Sequence, residues 1–442
     1  MKSETAVPWR RIGTLMLLAA ALVLAGATPA EARPRPGGDL YVPKPNHGAR
    51  EQIDALKAQG DRESAARIQA MIDTPQAVWF TQGTPHSVRQ GVQHVVKKAE
   101  KQGTVPVVVA YNIPFRDCAQ FSAGGATNAA EYEAWIDGFA AGIGDRPAIV
   151  ILEPDGLGII PFYDPYGSAD GSNAPEWCQP PEADPDTAAA DRFAMLNHAV
   201  DVLGALPNVQ TYLDGTHSAW LGNGDIAQRL VRAGVADADG FYLNVSNYQL
   251  TGNLVQYGQW ISACVAYATD VNPGDFIGCP NQYWNGGPHP AKIADLLGEW
   301  TGVALSNFGL WSDDSDDPTL NSSGINLRYS NMLGATEPTT HFVIDTSRNA
   351  NGPWRPPAGY PDAQDWCNPP GRGTGLAPAL APGEALVDAY LWVKIPGESD
   401  GECTRGLGPA GETVDPEWGL IDPGAGDWFP EMALELSANA SP

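Results

Sequence analysis

Carboxylates that could transfer protons follow four short apolar runs of this sequence, at Asp117, Asp155, Asp214 and Asp345. The run at residues 149–152 leads directly into Glu153-Pro154-Asp155, so one or both of these carboxylates are held at its end. Burial at such a position raises the pKa of a carboxyl group and can keep it protonated near neutral pH, as a general acid requires. The pattern therefore indicates either acid–base catalysis by carboxylates or a metal site.

Metal binding is the weaker of these two interpretations. A hard cation prefers carboxylates close together in sequence or a cage of oxygens, and the acidic run at residues 313–317 is typical of a solvated loop. The loops with the separated aspartates also carry indoles whose flat apolar faces suit sugar rings, those of Trp79, Trp220 and Trp366. One such Trp would fit core packing equally well, but three beside carboxylates favour hydrolysis of a glycoside. We expect neither a metal nor a cofactor.

Other kinds of chemistry lack their motifs. The sequence contains no GxSxG elbow and no glycine-rich phosphate loop, and His217 has no serine partner placed by a motif.

With 52 acidic and 26 basic residues, the formal net charge is -26, which repels phosphate polyanions and excludes binding to nucleic acid. A hydrophobic fraction of 43% with 14 tryptophans excludes a disordered acidic chain.

Seven β-rich runs alternate with helix-periodic segments and must position these side chains. The runs are residues 77–80, 105–110, 148–152, 209–213, 240–245, 341–344 and 389–393. Helices are predicted at residues 87–101, 131–143, 188–206 and 226–233. This alternation is typical of parallel strands with helical crossovers. In a (β/α) barrel the carboxyl ends of the strands meet on one face, where active sites lie, whereas a doubly wound open sheet would leave some of them at its edges.

Two stretches interrupt this alternation, residues 159–187 and 249–338, and both are rich in Pro, Gly, Asp and aromatic residues. Loops of this size in a compact domain are usually functional, and decorative insertion is the alternative. Because no internal repeat or linker divides the sequence, residues 33–442 are predicted to form a single catalytic domain.

The first 32 residues have the features of a secretory signal peptide. Arg10 and Arg11 precede an apolar stretch at residues 12–26, and small residues lead to a predicted cleavage point after Ala32. The apolar stretch is short for an uncleaved membrane anchor. We therefore expect residues 1–32 to be removed from a secreted, extracellular protein that is monomeric and does not associate with a membrane.

The six cysteines, an even number in an exported chain, argue for disulfides and against a metal site. Fifteen connectivities are possible in principle. Spacing alone favours joining the cysteines nearest in sequence, which gives the pairs Cys264–Cys279, Cys367–Cys403 and, by remainder, Cys118–Cys178.

Six segments resemble, in order, the motifs of glycoside hydrolase family 6. They are YNIPFRDC at 111–118, ILEPDG at 151–156, YLDGTHSAWL at 212–221, NVSNY at 244–248, DTSRN at 345–349 and LWVKIPGESDG at 391–401. This family comprises inverting β-1,4-glucanases, including cellobiohydrolases and endoglucanases. The resemblance extends from about Trp79 to Trp428 and implies an α/β fold, a distorted seven-stranded (β/α) barrel with long loops over the active face.

The resemblance also implies a role for each matching residue. Asp155 would be the general acid, with Asp117 beside it raising its pKa, and Tyr111 would press the reacting glucose towards a distorted ring. Asp345 is the candidate base, and a water chain that reaches Asp117 and Ser122 is its rival. Electrostatic support and substrate contacts would come from Asp214, Trp79, His217, Trp220, Asn244, Trp366, Lys394 and Glu398.

Sugar binding would divide between the two sides of the cleavage point. Trp79 and Trp366 would stack glucose on the non-reducing side and Trp220 on the other side, while Lys394 and Glu398 would hydrogen-bond sugar hydroxyls. Inversion implies that acid and base stand roughly 6.5 to 9.5 Å apart, which admits a water. The resemblance also implies the disulfides Cys118–Cys178 and Cys367–Cys403. Cys264–Cys279 would then be an additional disulfide in the long insertion.

The predicted function is hydrolysis of cellulose or cello-oligosaccharides by a secreted, inverting β-1,4-glucanase. The large insertions, and the roughly 30 residues between Glu398 and Trp428, favour loops that roof the cleft into a tunnel. Such a roof is typical of a cellobiohydrolase that releases cellobiose from chain ends, and an endoglucanase with an open cleft is the alternative. A non-catalytic polysaccharide-binding protein is a more distant alternative, against which the retained Asp155, Asp117 and Asp345 argue.

Overall fold

Seven parallel strands form a curled sheet in the computed structural model, which describes residues 38–164, 177–289 and 302–441. The strands are β1 Asp39–Leu40, β2 Val78–Phe80, β3 Thr104–Val105, β4 Val107–Ala110, β5 Ala148–Leu152, β6 Val209–Asp214, β7 Gly240–Leu243, β8 Phe342–Asp345, β9 Ala379–Leu380 and β10 Val387–Leu391. Strands β2, β4, β5, β6, β7, β8 and β10 lie side by side in this order and run parallel. They correspond to the seven predicted runs and confirm the predicted fold class.

The main sheet also has an eighth strand, which the sequence pattern does not predict. This strand, β9, pairs antiparallel with β10 at the edge, while the short β1 and β3 pair with each other apart from the main sheet. The backbone N–H of Ala77 donates to the carbonyl of Trp392 at 2.9 Å. The start of β2 therefore meets the end of β10, and the curled sheet becomes a barrel-like structure with a seam between its first and last parallel strands.

Nine helices surround this sheet in the described part of the chain: α1 His47–Gln59, α2 Arg62–Ile72, α3 Pro85–Gln102, α4 Ala129–Ile143, α5 Ala188–Gly204, α6 Asn223–Arg232, α7 Thr251–Ala266, α8 Ser323–Leu333 and α9 Pro430–Ala438. The four predicted helices are confirmed as α3 to α6. The prediction of a loop throughout residues 249–338 is wrong, because α7 and α8 lie there. In α7 the buried Leu254, Tyr257 and Ile261 recur at helical spacing and form its apolar side.

Apolar side chains cover both faces of the strands. Val108 and Val150 belong to a cluster that includes the helices, whereas Val109 and Ile151 belong to a cluster built from strand residues inside the barrel. Burial on both faces explains why the strands read as nearly continuous apolar runs. At the start of β7, Gly240 has a φ of 145°, and a Cβ there would lie 1.9 Å from a backbone oxygen of β8's preceding residue. The close pairing of these two strands therefore requires glycine.

All three predicted disulfides are confirmed. Cys118–Cys178 joins the loop after β4 to the segment that follows β5, and Cys367–Cys403 joins the loops after β8 and β10. Cys264–Cys279 ties α7 to the insertion that follows it. Two of the three disulfides therefore connect loops at the carboxyl ends of the strands, and all three leave the strands themselves unlinked.

The predicted signal peptide, residues 1–32, lies outside the described residues, as do residues 165–176 and 290–301 of the two long stretches. Within the described ranges, no helix combines the length and the apolar character that crossing a bilayer requires.

Candidate active site

A cavity of about 710 Å³ opens at the carboxyl ends of the parallel strands. The predicted site residues that line it are Trp79, Tyr111, Asp117, Ser122, Asp155, His217, Trp220, Trp366, Lys394 and Glu398. Trp79 belongs to β2 and the others follow five further strands, so the barrel brings together side chains that are far apart in sequence. Three predicted residues do not belong to the lining: Asp214, Asn244 and Asp345.

Asp155 is placed to donate a proton. It follows β5 and is partly accessible from the cavity. Burial raises the pKa of its carboxyl group well above the ordinary value, the charges of Asp214 and Asp117 raise it further, and a hydrogen bond from Tyr111 opposes the rise. The group therefore keeps its proton to a higher pH than an ordinary aspartate, as a general acid must.

Asp117 is a second carboxyl group of the cavity, with different surroundings. The backbone N–H of Ser122 donates to its Oδ2 at 2.7 Å. Burial raises the pKa of Asp117 to about 6, although the bond from Ser122 and the charge of Arg116 lower it. A carboxylate with this pKa is ionised near neutral pH and is still basic enough to accept a proton.

Tyr111 and Trp79 form one wall of the cavity. Their rings meet edge to face with centroids 5.5 Å apart, and the indole Nε1 of Trp79 donates to the carbonyl of Val393 at 2.8 Å. The guanidinium of Arg116 lies 4.5 Å from the centre of the Tyr111 ring and donates to the carbonyl of Tyr111 at 2.6 Å. Both aromatic rings are therefore held in a fixed orientation.

Glu153 faces the backbone, whereas Asp155 faces the cavity. Glu153 is fully buried and accepts hydrogen bonds from the backbone N–H groups of Asn112 and Ile113 at 2.8 and 3.0 Å. Burial raises its pKa to about 7, although these two bonds lower it. Glu153 therefore ties the loop after β4 to the loop after β5, and of the two carboxylates in the sequence motif Asp155 is the one that lines the cavity.

Asp214 lies beneath the cavity and supports the loop of Asp155. Its Oδ2 accepts from the backbone N–H groups of Leu157 and Gly158 at 3.1 and 2.9 Å, and its Oδ1 accepts from that of Thr216 at 2.8 Å. Its negative charge raises the pKa of Asp155. This placement fits an electrostatic supporting role.

Asp345, the predicted base, is buried and bonded to the backbone of two loops. Its side chain is 1% exposed and lies outside the cavity lining. Oδ1 accepts from the backbone N–H groups of Ser347 and Val393 at 2.9 and 3.2 Å, and Oδ2 accepts from that of Lys394 at 2.9 Å. Both oxygens are occupied in joining the loops after β8 and β10.

Asn244 is likewise a structural residue and does not contact the cavity. Its Nδ2 donates to the carbonyl of Asp345 at 2.8 Å, and its Oδ1 accepts from the backbone N–H of Gln249 at 3.0 Å. With 1% exposure, it has no surface for the predicted substrate contact. Asn247, three residues later, lines the cavity in its place.

Asp400 lines the cavity, although the sequence pattern assigned it no role. Its Oδ2 accepts from Arg348 at 3.0 Å and from the Tyr248 hydroxyl at 2.9 Å, and the Nζ of Lys394 lies 3.4 Å from its Oδ1. Burial alone would raise the pKa of Asp400, but the charges of Arg348 and Lys394 bring it below its ordinary value. The group therefore stays anionic. The sequence feature that could have identified Asp400 as a site residue is its place in the 391–401 motif, two residues after Glu398.

Polar groups with defined partners complete the lining. Glu398 accepts from Asn46, the residue that caps α1, at 2.9 Å. Burial lowers the pKa of His217 to about 3, so its ring is neutral. Its Nδ1 accepts from the backbone N–H of Ala219 at 3.2 Å, which places the proton on Nε2. The His217 ring lies 5.6 Å from that of Trp220.

Phe121 joins three loops at the rim of the cavity. Its ring centre lies 5.9 Å from that of Trp366, and its Cβ lies 2.4 Å from the position that a Cβ on Gly401 would take. Phe121 belongs to the loop after β4, Trp366 to the loop after β8 and Gly401 to the loop after β10. These three loops therefore touch one another at this point.

Comparison with known proteins places this site in a family. A family model described as glycosyl hydrolases family 6 matches residues 36–440. Endoglucanase 1 of Streptomyces sp. (strain KSM-9) is 31% identical over 369 residues, which cover 83% of this chain and 74% of that protein. A probable 1,4-beta-D-glucan cellobiohydrolase C of Aspergillus clavatus is 25% identical over 403 residues, with 86% and 70% covered.

A solved structure is similar over nearly its full length. It is the endoglucanase Cel6 from Mycobacterium tuberculosis in complex with a methyl-cellobiosyl-4-deoxy-4-thio-β-D-cellobioside, with a TM-score of 0.59 and 29% identity. The match covers 91% of this chain and 97% of that one. Together with the family model, it shows that this chain is a glycoside hydrolase and belongs to the glycosyl hydrolases family 6.

Proposed function

We propose that this protein hydrolyses β-1,4-linked glucan, as cellulose or cello-oligosaccharides, with inversion at the anomeric carbon. The observation that carries the proposal is Asp155, whose raised pKa keeps a proton in a cavity walled by Trp79, Trp220 and Trp366. The relatives named as endoglucanase and cellobiohydrolase support a glucan as the substrate. The three disulfides support secretion, since such bonds persist in oxidising surroundings.

In the proposed mechanism Asp155 gives its proton to the glycosidic oxygen as the bond from that oxygen to the anomeric carbon breaks. A water attacks the opposite face of the sugar and loses a proton to a base. Glucose units stack on Trp79 and Trp366 on the non-reducing side of the broken bond and on Trp220 on the other side. Tyr111, hydrogen-bonded to Asp155, limits the room for the reacting ring.

Asp117 is the carboxylate best suited to receive the proton of that water. Its pKa of about 6 combines ionisation with basicity, whereas the lowered pKa of Asp400 makes that group a weaker base. Asp345 has both oxygens bound to backbone N–H groups. We therefore assign the base role to Asp117, reached by a water chain past Ser122, and assign to Asp400 the stabilisation of positive charge on the sugar.

Inversion predicts the configuration of the first product. Proton NMR of a fresh cellotetraose digest is expected to show new reducing ends in the α configuration, before mutarotation in water mixes the two anomers. The β configuration at the earliest time point would contradict the proposed single displacement.

Within this activity, the contact at Phe121 favours action at chain ends. A rim whose loops touch at Phe121, Trp366 and Gly401 restricts entry of a chain from its side. A chain threaded from its end would meet no such restriction, and cellobiose would be its product. This supports a cellobiohydrolase.

The path of the long loop after β10 favours the second candidate, an endoglucanase. Arg405 and Asp415 of this loop form a buried ion pair at 2.6 Å, and Cys403 bonds to Cys367 of the loop after β8. Among residues 399–427, those that line the cavity are Asp400, Ala425 and Gly426. Most of the loop therefore packs beside the cavity, and the endoglucanase relatives agree with an open cleft.

Carboxymethylcellulose separates the two candidates. The unsubstituted protein is expected to lower the viscosity slowly relative to the reducing sugar that it releases, because internal bonds are poorly accessible. Phe121→Ala is expected to lower the viscosity faster per sugar released, since the contact with Trp366 is lost, and Gln120→Ala in the same loop serves as the control. A rapid viscosity fall with little soluble sugar from the unsubstituted protein would show endo-cleavage.

A further inference from the structure

We propose that Asn368 is a positioning residue, which holds Asp400 at the cavity wall in the orientation that stabilises positive charge on the sugar. This inference rests on the proposed glucan hydrolysis and adds a residue to its machinery. Asn368 lies in the loop after β8 and is fully buried, whereas Asp400 lies in the loop after β10 and lines the cavity. Because Asn368 is not part of the cavity lining, it can act on the sugar only through Asp400.

Asp400 needs such support because it lies outside the helices and strands of the described residues. It is followed by Gly401, whose φ of 142° lies in the region that favours glycine. The side chains of Arg348, Lys394 and Tyr248 contact its carboxylate. These contacts restrain the end of the Asp400 side chain, and they leave its backbone to be fixed by other groups.

The side-chain amide of Asn368 fixes the backbone around Asp400. Its Oδ1 accepts from the backbone N–H of Asp400 at 2.7 Å, and its Nδ2 donates to the carbonyl of Gly401 at 2.9 Å. The Nδ2 also donates to the hydroxyl of Ser399 at 2.9 Å. Because the partner of Oδ1 is an N–H group, the oxygen and the nitrogen of this amide cannot be exchanged. One amide therefore binds three consecutive residues.

The backbone of Asn368 holds the carboxylate of Asp400 as well. Its N–H donates to the Oδ2 of Asp400 at 3.0 Å, the same oxygen that accepts from Arg348 and Tyr248. Asn368 has a φ of 41°, in the left-handed region, which asparagine adopts more readily than most residues. Asparagine therefore suits this position twice, through its backbone conformation and through its amide.

Asn368 is itself held from the side away from the cavity. Its carbonyl accepts from the Nε1 of Trp418 at 2.7 Å and from the Nη2 of Arg405 at 3.2 Å. Its Nδ2 also donates to the Oδ2 of Asp422 at 2.9 Å. A group that is locked by its own hydrogen bonds can hold another group with the precision that catalysis requires. These contacts therefore make Asn368 a firm support for Asp400.

Replacing Asn368 by glycine tests the assignment. Asn368→Gly removes the amide, keeps the backbone N–H, and adopts the φ of 41° without strain. The value of kcat for cellotetraose is expected to fall about 10- to 100-fold with little change in KM, because a catalytic group displaced by about 1 Å loses activity on this scale. Unchanged kcat would overturn the positioning role.

Trp418→Phe is the matched control. It removes one donor to the carbonyl of Asn368 and leaves the amide that binds residues 399–401 in place. The expected result is a lower melting temperature with unchanged kcat. If this variant lost kcat by the same factor as Asn368→Gly, general loosening of the two loops would explain both losses, and the positioning role would be wrong.

A double-mutant cycle with Asp400→Asn separates a positioning role from a structural one. If Asn368 acts through Asp400, Asn368→Gly should cause no further loss of kcat once Asp400 is replaced. A loss by the same factor in both backgrounds would show that Asn368 acts independently of Asp400, and the inference would be wrong.

Two further measurements keep the test decisive. Should Asn368→Gly fail to fold, Asn368→Asp has the same size and keeps the acceptor for the N–H of Asp400; it is expected to lower kcat by a smaller factor, again only while Asp400 is present. If the unsubstituted enzyme did not cleave cellotetraose, the proposed hydrolysis would fail, but crystal structures would still decide on Asn368. A carboxylate of Asp400 displaced in the Asn368 variant and not in Trp418→Phe supports the inference, and an unmoved carboxylate overturns it.

Discussion

Replacing Asp155 by asparagine is expected to slow cellotetraose hydrolysis about 10²- to 10⁴-fold, the usual contribution of a positioned general acid. The amide preserves the size of the side chain and its hydrogen bond with Tyr111 but has no acidic proton for the glycosidic oxygen. The measurement is kcat/KM for the variant and the unsubstituted enzyme, with melting temperatures to show that both are folded.

The leaving group supplies the control for this prediction. An aryl cellobioside whose phenol is strongly acidic departs without protonation, so Asp155→Asn should cleave it at nearly the unsubstituted rate. If the variant lost the same factor on both substrates, the loss would come from the site's structure, and the acid assignment of Asp155 would be wrong.

Replacing Asp117 by asparagine is expected to lower kcat about 10²- to 10⁴-fold and to remove the acidic limb of the pH profile of kcat/KM. In the unsubstituted enzyme activity should fall below a pH of about 6, because protonated Asp117 cannot accept a further proton. Activity should also fall at high pH, as Asp155 loses its proton. This alkaline limb should move to lower pH in the variant, because the charge of Asp117 helps to raise the pKa of Asp155.

Asp345→Asn is the matched comparison for the base assignment. Its amide group can replace one of the two acceptor oxygens, so a backbone N–H of Ser347, Val393 or Lys394 loses its partner at a cost of about 1–3 kcal/mol. The expected result is a lower melting temperature with both pH limbs in place. If this variant lost the acidic limb while Asp117→Asn kept it, Asp345 would be the base.

The strands were predictable because burial on both faces makes them nearly continuous apolar runs, as at residues 148–152. Helix α7 was missed because its Gly, Tyr and Trp residues resemble the composition of a loop, although Leu254 and Ile261 keep the helical spacing. The edge strand β9 has two residues and no alternation of its own, so its pairing with β10 comes from the fold alone.

The aspartates at the strand ends were predictable as a group, but their separate roles were not. A position after a strand does not reveal whether a side chain turns to the cavity, as in Asp155, or back to the backbone, as in Asp345. The role of Asp400 depends on Arg348 and Lys394, which come from loops after two different strands. Only the folded barrel brings these three charges together.

The position of the three disulfides has a practical consequence for production of the enzyme. All six cysteines lie outside the strands, and the three disulfides close loops with sequence separations of 60, 15 and 36 residues. In the chain-entropy account each disulfide adds about 3–4 kcal/mol to the free energy of unfolding. A host cytosol keeps thiols reduced. There the strands could still pair while the loops around the cavity lost the covalent links Cys118–Cys178 and Cys367–Cys403. We therefore expect that full assembly of the loops around the cavity requires expression in an oxidising compartment.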